Sequence, residues 1–338
     1  MIKVGINGFG RIGRLATRVI LKKYKDEIEL VVINTSGKIE PAGWTHLFKY
    51  DSAYGQYQRE VKNEEENLIV DGVKIPLLAQ RDPEKIPWGD YRVQLVVEST
   101  GVFRTKEEVE KHLRDTVRKV VLSAPAKGEA EVVTVVIGVN DQEREGQRLV
   151  SSASCTTNCI SPVTRVILEK FGIKKAMLTT IHAYTPDQEL QDGSHKDWRR
   201  ARAAAANIVP TTTGAAKASI KTLPTLAGKF DGLAIRVPVL VGSLSDLTYL
   251  VGKPTDIEEV NQAFLEASQK PSLKGILEVT QEPLVSSDVI GSSASAIVDL
   301  NLTRVVGGDL VKVVAWYDNE WGYANRLVEE VVAAGKEL

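Results

Sequence analysis

In the first half of the chain, short continuous apolar runs alternate with stretches that have helical spacing. Residues 2–7 form one apolar run, and residues 14–23 place apolar side chains three and four positions apart. Runs that predict further strands lie at 29–34, 95–101, 119–125 and 132–139. Strands that are almost wholly apolar and separated by helices are typical of a parallel sheet covered on both faces. The pattern predicts a doubly wound α/β domain.

Within the first half, Thr105 and Glu108 have the spacing of a capping box and predict a helix that runs to Leu113.

The second half begins with a helix and continues with longer β-rich segments. A helix is predicted from Cys155 towards Phe171. Strands are predicted at 174–185, 233–240, 244–251, 295–304 and 309–317, and helices at 255–269 and 322–334. The chain therefore changes character near residue 154.

Composition narrows the class of protein. With 338 residues, 43% hydrophobic and 26% charged, the chain is long enough for two globular domains. Its 43 basic and 44 acidic residues nearly cancel, so the protein has no large net charge that would attract nucleic acid or a membrane surface. We expect neither partner. No apolar run approaches about 18 residues, and the amino terminus starts with a strand rather than a signal segment. Two cysteines four residues apart indicate a reducing compartment, so we expect a cytoplasmic protein without a metal site.

A glycine-rich turn follows the first strand. Gly8, Gly10 and Gly13 stand between an apolar run and a helical pattern, which is the dinucleotide-binding arrangement. The first glycine makes the turn, the second lets the backbone approach a pyrophosphate, and the third lets helix and strand pack closely. The helix N-terminus then offers free amides to the anion. Such a hexapeptide can also occur by chance in a connecting turn.

The tip of the next strand bears on the choice of dinucleotide. An Asp or Glu usually binds the adenosine ribose about twenty residues after the glycines, but here the sequence is Asn34-Thr35-Ser36-Gly37-Lys38. Without a carboxylate nothing repels a 2′-phosphate, and the Asn34 amide, the Thr35 and Ser36 hydroxyls and Lys38 could bind one. The alternative is a polar turn that only connects two segments.

Both cysteines lie at the start of the central helix. Ser154 can cap this helix, which places the Cys155 thiol at the N-terminus, where the dipole favours the thiolate. Cys159 is one turn further and is predicted to be buried and inert. His182, on a strand 27 residues after Cys155, could form a thiolate–imidazolium pair with it. The alternatives are a packed core thiol and a structural histidine.

Several segments together resemble phosphorylating glyceraldehyde-3-phosphate dehydrogenase, in the order and spacing of that family. They are 154–159 (SCTTNC), 180–185 (TIHAYT), 199–204 (RRARAA), 210–217 (PTTTGAAK), 236–238 (RVP) and 316–323 (WYDNEWGY). The resemblance implies a Rossmann domain over 1–153, completed by a C-terminal helix in 320–338. It also implies an α+β catalytic domain over 154–319 with a mostly antiparallel sheet, and a homotetramer.

The resemblance also implies roles for individual residues. Cys155 corresponds to the nucleophile that adds to glyceraldehyde 3-phosphate, and His182 to the base; hydride transfer to NAD(P) leaves a thioester that inorganic phosphate cleaves. Residues expected at the substrate phosphate are Thr185, Arg200 and Arg236. Those expected at the attacking phosphate are Ser154, Thr156, Thr213 and Gly214. Further cofactor contacts are expected from Arg11, Ile12, Arg81, Thr100 and Ser123, with Asn319 on the nicotinamide carboxamide and Tyr323 near its ring.

Two departures from the family pattern concern the cofactor. Thr35 stands where the NAD-using members place the ribose-binding Asp, and Ser194 stands where they commonly have Pro. The photosynthetic, NADP-using members carry a serine at the second place, on a loop that reaches the cofactor of a neighbouring subunit. We therefore predict that NADP is accepted and preferred over NAD.

Three alternatives share part of this pattern. Erythrose-4-phosphate dehydrogenase has the same fold and the Cys/His pair. Aspartate-semialdehyde dehydrogenase is a more distant Cys/His relative, and it is disfavoured because the residues of two phosphate sites are all present here. A binding module that kept an enzyme's fold is the third, and no basic or aromatic-rich segment supports it.

Overall fold

The computed structural model describes residues 1–128 and 132–338, which form two compact units. The first comprises Met1–Val135, Gln142–Ala153 and Ala324–Leu338, and the second comprises Val136–Asp141 and Ser154–Tyr323. This division differs from the predicted one at residues 136–141 and 320–323. The first of these segments belongs to the second unit because Gly138 accepts a hydrogen bond of 2.7 Å from Arg165 Nη1.

Within the described residues, the first unit carries a nine-stranded sheet in the order β3-β4-β5-β2-β1-β6-β7-β9-β8. The strands are β1 Ile2–Asn7, β2 Ile28–Asn34, β3 Val61–Glu64, β4 Asn67–Val70, β5 Val73–Leu78, β6 Leu95–Glu98, β7 Lys119–Leu122, β8 Val133–Thr134 and β9 Leu149–Ser151. The helices are α1 Arg11–Lys23, α2 Pro41–Lys49 and α3 Lys106–Glu110. Strands β2, β1, β6, β7, β9 and β8 pair in parallel, as predicted for a doubly wound sheet.

Burial explains this sheet. All four residues of β6 and of β7 are buried, and α1 buries Leu15, Val19 and Ile20. Several predicted boundaries are wrong. In this unit α3 ends at Glu110 rather than Leu113, and β8 ends at Thr134 rather than Val139. In the second unit the strands predicted over 233–240 and 295–304 end at Val237 and Asp299. Gly138 has a φ of +82°, and a Cβ there would lie 2.7 Å from the Ser272 carbonyl oxygen, so the chain leaves the extended conformation before this point.

The second unit carries a mixed sheet, which has eight strands in the described part of the chain, ordered β11-β12-β10-β13-β17-β15-β14 with β16 beside β17. The strands are β10 Ile173–Ala183, β11 Val209–Thr212, β12 Phe230–Val237, β13 Ser243–Val251, β14 Leu277–Thr280, β15 Ala296–Asp299, β16 Arg304–Val306 and β17 Leu310–Tyr317. The helices are α4 Cys155–Phe171, α5 Ala215–Thr222 and α6 Ile257–Ser268. The last helix, α7 Trp321–Gly335, belongs to the first unit from Ala324 onward. Pairs β10–β12 and β14–β15 are parallel and the others antiparallel, which confirms the mostly antiparallel sheet.

Helix α4 is the centre of the second unit. It buries Cys159, Ile160, Val163 and Ile167 in the core shared with α5, α6 and the sheet. Ser154 caps it, since its Oγ accepts a hydrogen bond of 3.1 Å from the Thr157 amide. The capped N-terminus fixes the position of Cys155, the first residue of the helix.

In the described residues, none of the helices has the length and apolar character that crossing a bilayer requires. The same part of the chain holds no group of three or more His, Cys, Asp or Glu side chains placed to bind a metal ion.

Candidate functional site

The three glycines of the first turn have different surroundings. Gly8 has a φ of +103°, and a Cβ there would lie 2.6 Å from the Thr100 nitrogen. A Cβ on Gly13 would lie 2.0 Å from the Gly8 carbonyl oxygen, whereas one on Gly10 would meet no atom within 4 Å. Gly8 and Gly13 are therefore required by packing, and Gly10 opens space beside the first amides of α1. This space fits the pyrophosphate of a dinucleotide.

Arg11 and Ile12 stand in the first turn of α1, but the Arg11 side chain has another partner. Its guanidinium forms a bidentate ion pair with Asp51, at 2.6 and 3.3 Å, and lies 5.9 Å from the Tyr54 ring centroid. The Arg11 side chain thus packs against its own unit. Arg11 and Ile12 can contact a dinucleotide through their backbone amides.

The structure corrects the role predicted for Asn34. Its side chain is buried, and both amide hydrogens are used: Nδ2 donates to Asn7 Oδ1 and to the Gln80 carbonyl, each at 2.7 Å. Thr35 is also buried, and its hydroxyl donates to the Leu78 carbonyl at 2.8 Å. Asn34 therefore supports the loop rather than binding a phosphate, and Thr35 has no hydroxyl hydrogen to offer one.

The other predicted residues of the first unit lie after the carboxyl ends of the strands. Arg81 is exposed beyond β5, and the Ser123 amide donates to the Glu98 carbonyl at 2.9 Å after β7. Thr100 is held by Glu98, whose Oε1 accepts from the Thr100 amide at 2.8 Å and from its hydroxyl. This arrangement follows the rule that open α/β sheets bind ligands at the carboxyl ends of their strands.

Sequence reasoning missed the group that supports Thr100. Glu98 is fully buried, and its Oε2 accepts from Asn7 Nδ2 at 2.6 Å and lies 3.1 Å from His112 Nε2. Trp88 donates to His112 Nδ1 at 3.2 Å, so the hydrogen of this imidazole is on Nε2 and points at Glu98. The sequence did contain a sign of this buried group, because Glu98 is a glutamate in an otherwise apolar strand.

Cys155 and His182 come together in the second unit. The sulfur of Cys155 lies 3.4 Å from His182 Nε2, and His182 Nδ1 lies 2.7 Å from the Ala183 carbonyl oxygen. His182 Nδ1 also lies 3.2 Å from Arg236 Nη1. The shorter contact is to a carbonyl, which can only accept, so Nδ1 carries the hydrogen and the Nε2 lone pair faces the thiol. The sequence alternatives of a core thiol and a purely structural histidine do not describe this geometry.

The environment of the pair favours its neutral form. Burial and the Arg236 charge lower the pKa of His182 to about 3. Burial raises the pKa of the Cys155 thiol, and the Arg236 charge and the Thr156 hydrogen bond oppose this rise only in part. These directions favour a thiol beside a neutral imidazole over the ion pair that the spacing allows. Burial raises the pKa of Cys159 to about 12, and this cysteine is buried as predicted.

Tyr317 positions both members of the pair. Its hydroxyl lies 3.0 Å from Thr156 Oγ1 on α4 and 2.9 Å from Thr180 Oγ1 on β10. Its ring meets the His182 ring edge to face, with centroids 6.0 Å apart. Tyr317 therefore ties the start of α4 to the strand that carries His182, which its place in the 316–323 segment alone did not indicate.

Arg236 provides a cation beside the pair. It stands opposite His182 in the β10–β12 register, and its Nη1 donates to the Ala183 carbonyl at 3.2 Å and to Thr185 Oγ1 at 3.3 Å. Its Nε is buried and, among the described residues, has no hydrogen-bond partner. A buried guanidinium with an unsatisfied donor is suited to an anionic ligand.

Arg200 and the 211–214 segment surround a second part of the site. Arg200 donates to Thr211 Oγ1 at 3.0 Å and to the Thr212 carbonyl at 3.2 Å, and it forms an ion pair with Asp187. Thr213 Oγ1 accepts from the Ala215 amide at 3.2 Å, and Gly214 is the N-cap of α5. Arg200 is therefore already engaged, and a phosphate would have to share or displace one of these contacts.

Asn319 presents a free amide group. Its Oδ1 accepts from the Gly242 amide at 3.1 Å and from the Ser243 hydroxyl at 2.9 Å. These donors fix the orientation of the side chain, and its Nδ2 forms no hydrogen bond with any residue that the structure describes. Tyr323 is buried in the first turn of α7, and Ser194 is exposed in the segment after β10.

The glycine turn of the first unit and the thiol–imidazole pair of the second define a class of protein: a dinucleotide-dependent dehydrogenase with a cysteine nucleophile. Two family models match the chain. They are described as the NAD binding domain of glyceraldehyde 3-phosphate dehydrogenase, over residues 2–106, and as its C-terminal domain, over residues 154–319. The chain belongs to the glyceraldehyde-3-phosphate dehydrogenase family.

Full-length relatives agree with this family. The chain is 49% identical to a glyceraldehyde-3-phosphate dehydrogenase of Streptomyces coelicolor, with 100% of this chain and 99% of the relative covered. It is 52% identical to that of Thermotoga maritima, with 97% and 98% covered. It is 49% identical to glyceraldehyde-3-phosphate dehydrogenase 2 of Trichormus variabilis, with 98% and 99% covered.

Proposed function

We propose that the protein catalyses the reversible oxidation and phosphorylation of D-glyceraldehyde 3-phosphate to 1,3-bisphosphoglycerate, with NAD or NADP as hydride acceptor. The observation that carries this function is the 3.4 Å approach of Cys155 to the Nε2 lone pair of His182, beside a buried arginine with an unsatisfied donor. Membership of the family supports the same reaction.

The proposed chemistry starts at the sulfur of Cys155. As the sulfur bonds to the aldehyde carbon, the thiol proton moves to His182 Nε2. The imidazolium then passes this proton to the carbonyl oxygen, which becomes the hydroxyl of a thiohemiacetal and leaves His182 neutral again. The nicotinamide, when bound, accepts the hydride. His182 takes the hydroxyl proton in this step, which leaves a thioester on Cys155. Inorganic phosphate then attacks the thioester carbon, the C–S bond breaks, and the acyl phosphate leaves. The Cys155 sulfur takes back the proton held by His182, which restores the starting pair.

The remaining site residues have proposed roles in binding. For the substrate phosphate these are Thr185, Arg200 and Arg236, and the unsatisfied Arg236 Nε supports this role. For the attacking phosphate they are Ser154, Thr156, Thr213 and Gly214, at the starts of α4 and α5. The Asn319 amide suits the carboxamide oxygen of nicotinamide, and Tyr323 is assigned to the region of that ring. Amides of Gly10, Arg11 and Ile12 suit the pyrophosphate, with Arg81, Thr100 and Ser123 elsewhere along the dinucleotide.

Phosphate dependence tests the reaction. With glyceraldehyde 3-phosphate as substrate, omission of inorganic phosphate should lower steady-state formation of the reduced dinucleotide by more than about tenfold, because thioester cleavage then depends on water alone. Erythrose 4-phosphate, assayed in parallel, should give the lower kcat/KM. A rate that does not respond to phosphate would contradict the proposal, and a preference for the four-carbon aldehyde would favour the erythrose-4-phosphate enzyme.

We also infer that NADP is the preferred dinucleotide. The end of β2 carries no carboxylate, Lys38 is exposed there, and Ser36 is partly exposed with its hydroxyl accepting from the Lys38 amide at 3.3 Å. Thr35 favours NADP only because it is not acidic. Its hydroxyl already donates to the Leu78 carbonyl and does not bind the 2′-phosphate. The exposed Ser194 suits a contact with a neighbouring subunit's cofactor.

Thr35→Asp is the sharpest test of this preference. The new carboxylate should lower kcat/KM for NADP by about a hundredfold through charge repulsion and change that for NAD much less. Thr35→Asn is the matched control, because it changes shape and hydrogen bonding in the same way without the charge. A parent protein that already prefers NAD a hundredfold would overturn the inference.

We further propose a cytoplasmic homotetramer. Apolar side chains of the second unit that are exposed in the single chain support an assembly, among them Met177, Leu190, Trp198, Ile208 and Leu233. Sedimentation should give a mass four times that of the 37.0 kDa chain, and a monomer at micromolar concentration would contradict the proposal.

A further inference from the structure

The amino ends of the central parallel strands carry a row of polar and basic residues. The Gln94 amide, just before β6, donates to the Lys3 carbonyl in β1 at 2.8 Å. The Arg118 amide, just before β7, donates to the Gln94 carbonyl at 2.8 Å, and the Val120 amide donates to the Arg148 carbonyl, just before β9, at 2.9 Å. Four neighbouring strands thus place Lys3, Gln94, Arg118 and Arg148 side by side, about 4.8 Å apart per strand.

These residues line a cleft of about 1000 Å³ within the first unit, together with Arg92, Asp115 and Glu337. The lining also includes Lys119 and Leu338. Both side-chain carboxylates of the lining are already paired: Glu337 with Lys119 and Arg144, and Asp115 with Arg114 Nη1 at 2.7 Å. Arg92, Arg118 and Arg148 are exposed, and no carboxylate of the described residues lies within 4 Å of their guanidinium groups. Three arginines therefore face the cleft without a counter-charge.

The backbone conformation of Arg92, which lines the cleft, is energetically unfavourable. Arg92 has a φ of +53°, a left-handed conformation that is unfavourable for a residue with a Cβ, and its amide donates to the Gly89 carbonyl at 2.9 Å. Unpaired like charges around one concave surface repel each other, and an anion between them removes that repulsion. Folding alone does not require three unpaired arginines here.

The lining defines the chemical class of the ligand. Arginine binds phosphate oxygens in a bidentate manner, and several arginines around one cleft suit a ligand with more than one phosphate. No lining residue of the cleft is aromatic, so the surface lacks the stacking platform typical of single-stranded nucleic acid sites. The cleft is at the amino ends of the strands, and the glycine turn follows the carboxyl end of β1. It is therefore a different site from that of the dinucleotide.

We propose that this cleft is a second anion site that binds a small oligophosphate, of the size of pyrophosphate or tripolyphosphate. The proposal does not depend on the reaction assigned above, because none of the cleft residues belongs to the proposed catalytic or cofactor machinery.

Calorimetric titration with tripolyphosphate tests the proposal. The full-length protein is saturated with NADP beforehand, so that the phosphate positions of the dinucleotide, including that of the 2′-phosphate, are occupied. Arg118→Gln/Arg148→Gln should weaken tripolyphosphate binding by about tenfold per arginine removed and leave kcat with glyceraldehyde 3-phosphate unchanged. Arg59→Gln/Lys74→Gln is the control: it removes two exposed charges from the same unit outside the cleft and should bind as the parent does.

Thermal unfolding gives a second readout. Tripolyphosphate should raise the Tm of the parent and of the control by the same amount, and raise that of the cleft variant much less. If the double variant does not fold, Arg118→Gln and Arg148→Gln singly provide the same comparison. Equal affinities in all three proteins, or no binding to the parent at low ionic strength, would overturn the site. Tighter, length-dependent binding of single-stranded RNA at the cleft would overturn the small-ligand assignment.

Discussion

Cys155→Ser is expected to reduce turnover by on the order of 10⁴-fold or more while the protein stays folded. A serine hydroxyl is a far weaker nucleophile at neutral pH, and the thioester that phosphate cleaves cannot form. The exchange is nearly isosteric at a partly exposed position, where the sulfur lies 3.4 Å from His182 Nε2 and 4.0 Å from Thr156 Oγ1. Steady-state assays and thermal unfolding on the same preparation measure both quantities.

Cys159→Ser is the matched control for this prediction. Cys159 is four residues further along the same helix, fully buried, and its neighbour Ser245 can hydrogen-bond to the group at this position. This variant should keep the turnover of the parent per folded molecule and change only the free energy of unfolding. Equal losses of turnover in the two cysteine variants would show that the helix, rather than the Cys155 thiol, had been damaged.

His182→Asn should lower kcat by about 10² to 10⁴-fold, the usual contribution of general acid–base catalysis. The imidazole is neutral at physiological pH because its pKa is lowered to about 3, and its Nε2 lies 3.4 Å from the sulfur that must lose the proton. Without it the thiol must lose its proton to solvent, and burial has raised the pKa of that thiol. Alkylation of Cys155 by iodoacetamide in the variant should then rise with pH beyond about pH 8.5, the ordinary cysteine value.

The control for this pH profile is His46→Asn. His46 is exposed on α2 and packs against the Tyr50 ring in a tilted arrangement, with ring centroids 5.0 Å apart. Its replacement should change neither the alkylation profile nor kcat. A His182→Asn variant with the parent's pH profile would exclude His182 as the proton acceptor.

Local patterns allowed much of the fold and of the catalytic pair to be predicted. The helix predicted from Cys155 towards Phe171 begins and ends at those residues, because Ser154 is a capping residue and the apolar spacing is regular. The roles of the three glycines follow from a turn whose geometry is set within a few residues. The contact between Cys155 and His182 could be predicted only from the resemblance to a family, because a separation of 27 residues in the sequence says little about distance in the structure.

The features that sequence reasoning missed depend on distant partners. Asn34 was assigned to the cofactor because it ends a strand, but Gln80 and Asn7, from two other segments, occupy both of its amide hydrogens. Tyr317 acts through Thr156 and Thr180, which are far from it in the sequence. The strand predicted over 132–139 is shortened to Val133–Thr134, and the positive φ of Gly138, which hydrophobic spacing does not reveal, excludes an extended conformation at that residue.

The burial of the Asn34 side chain has a consequence for how cofactor choice can change. Its bonds to Asn7 and Gln80 hold the end of β2 from inside the sheet, so the position of the loop does not rest on the side chains at its tip. Ser36 and Lys38 can then be exchanged at little cost in folding stability. Single amino-acid substitutions at these two positions, selected by laboratory evolution, should therefore change the preference between NAD and NADP without compensating substitutions elsewhere in the domain.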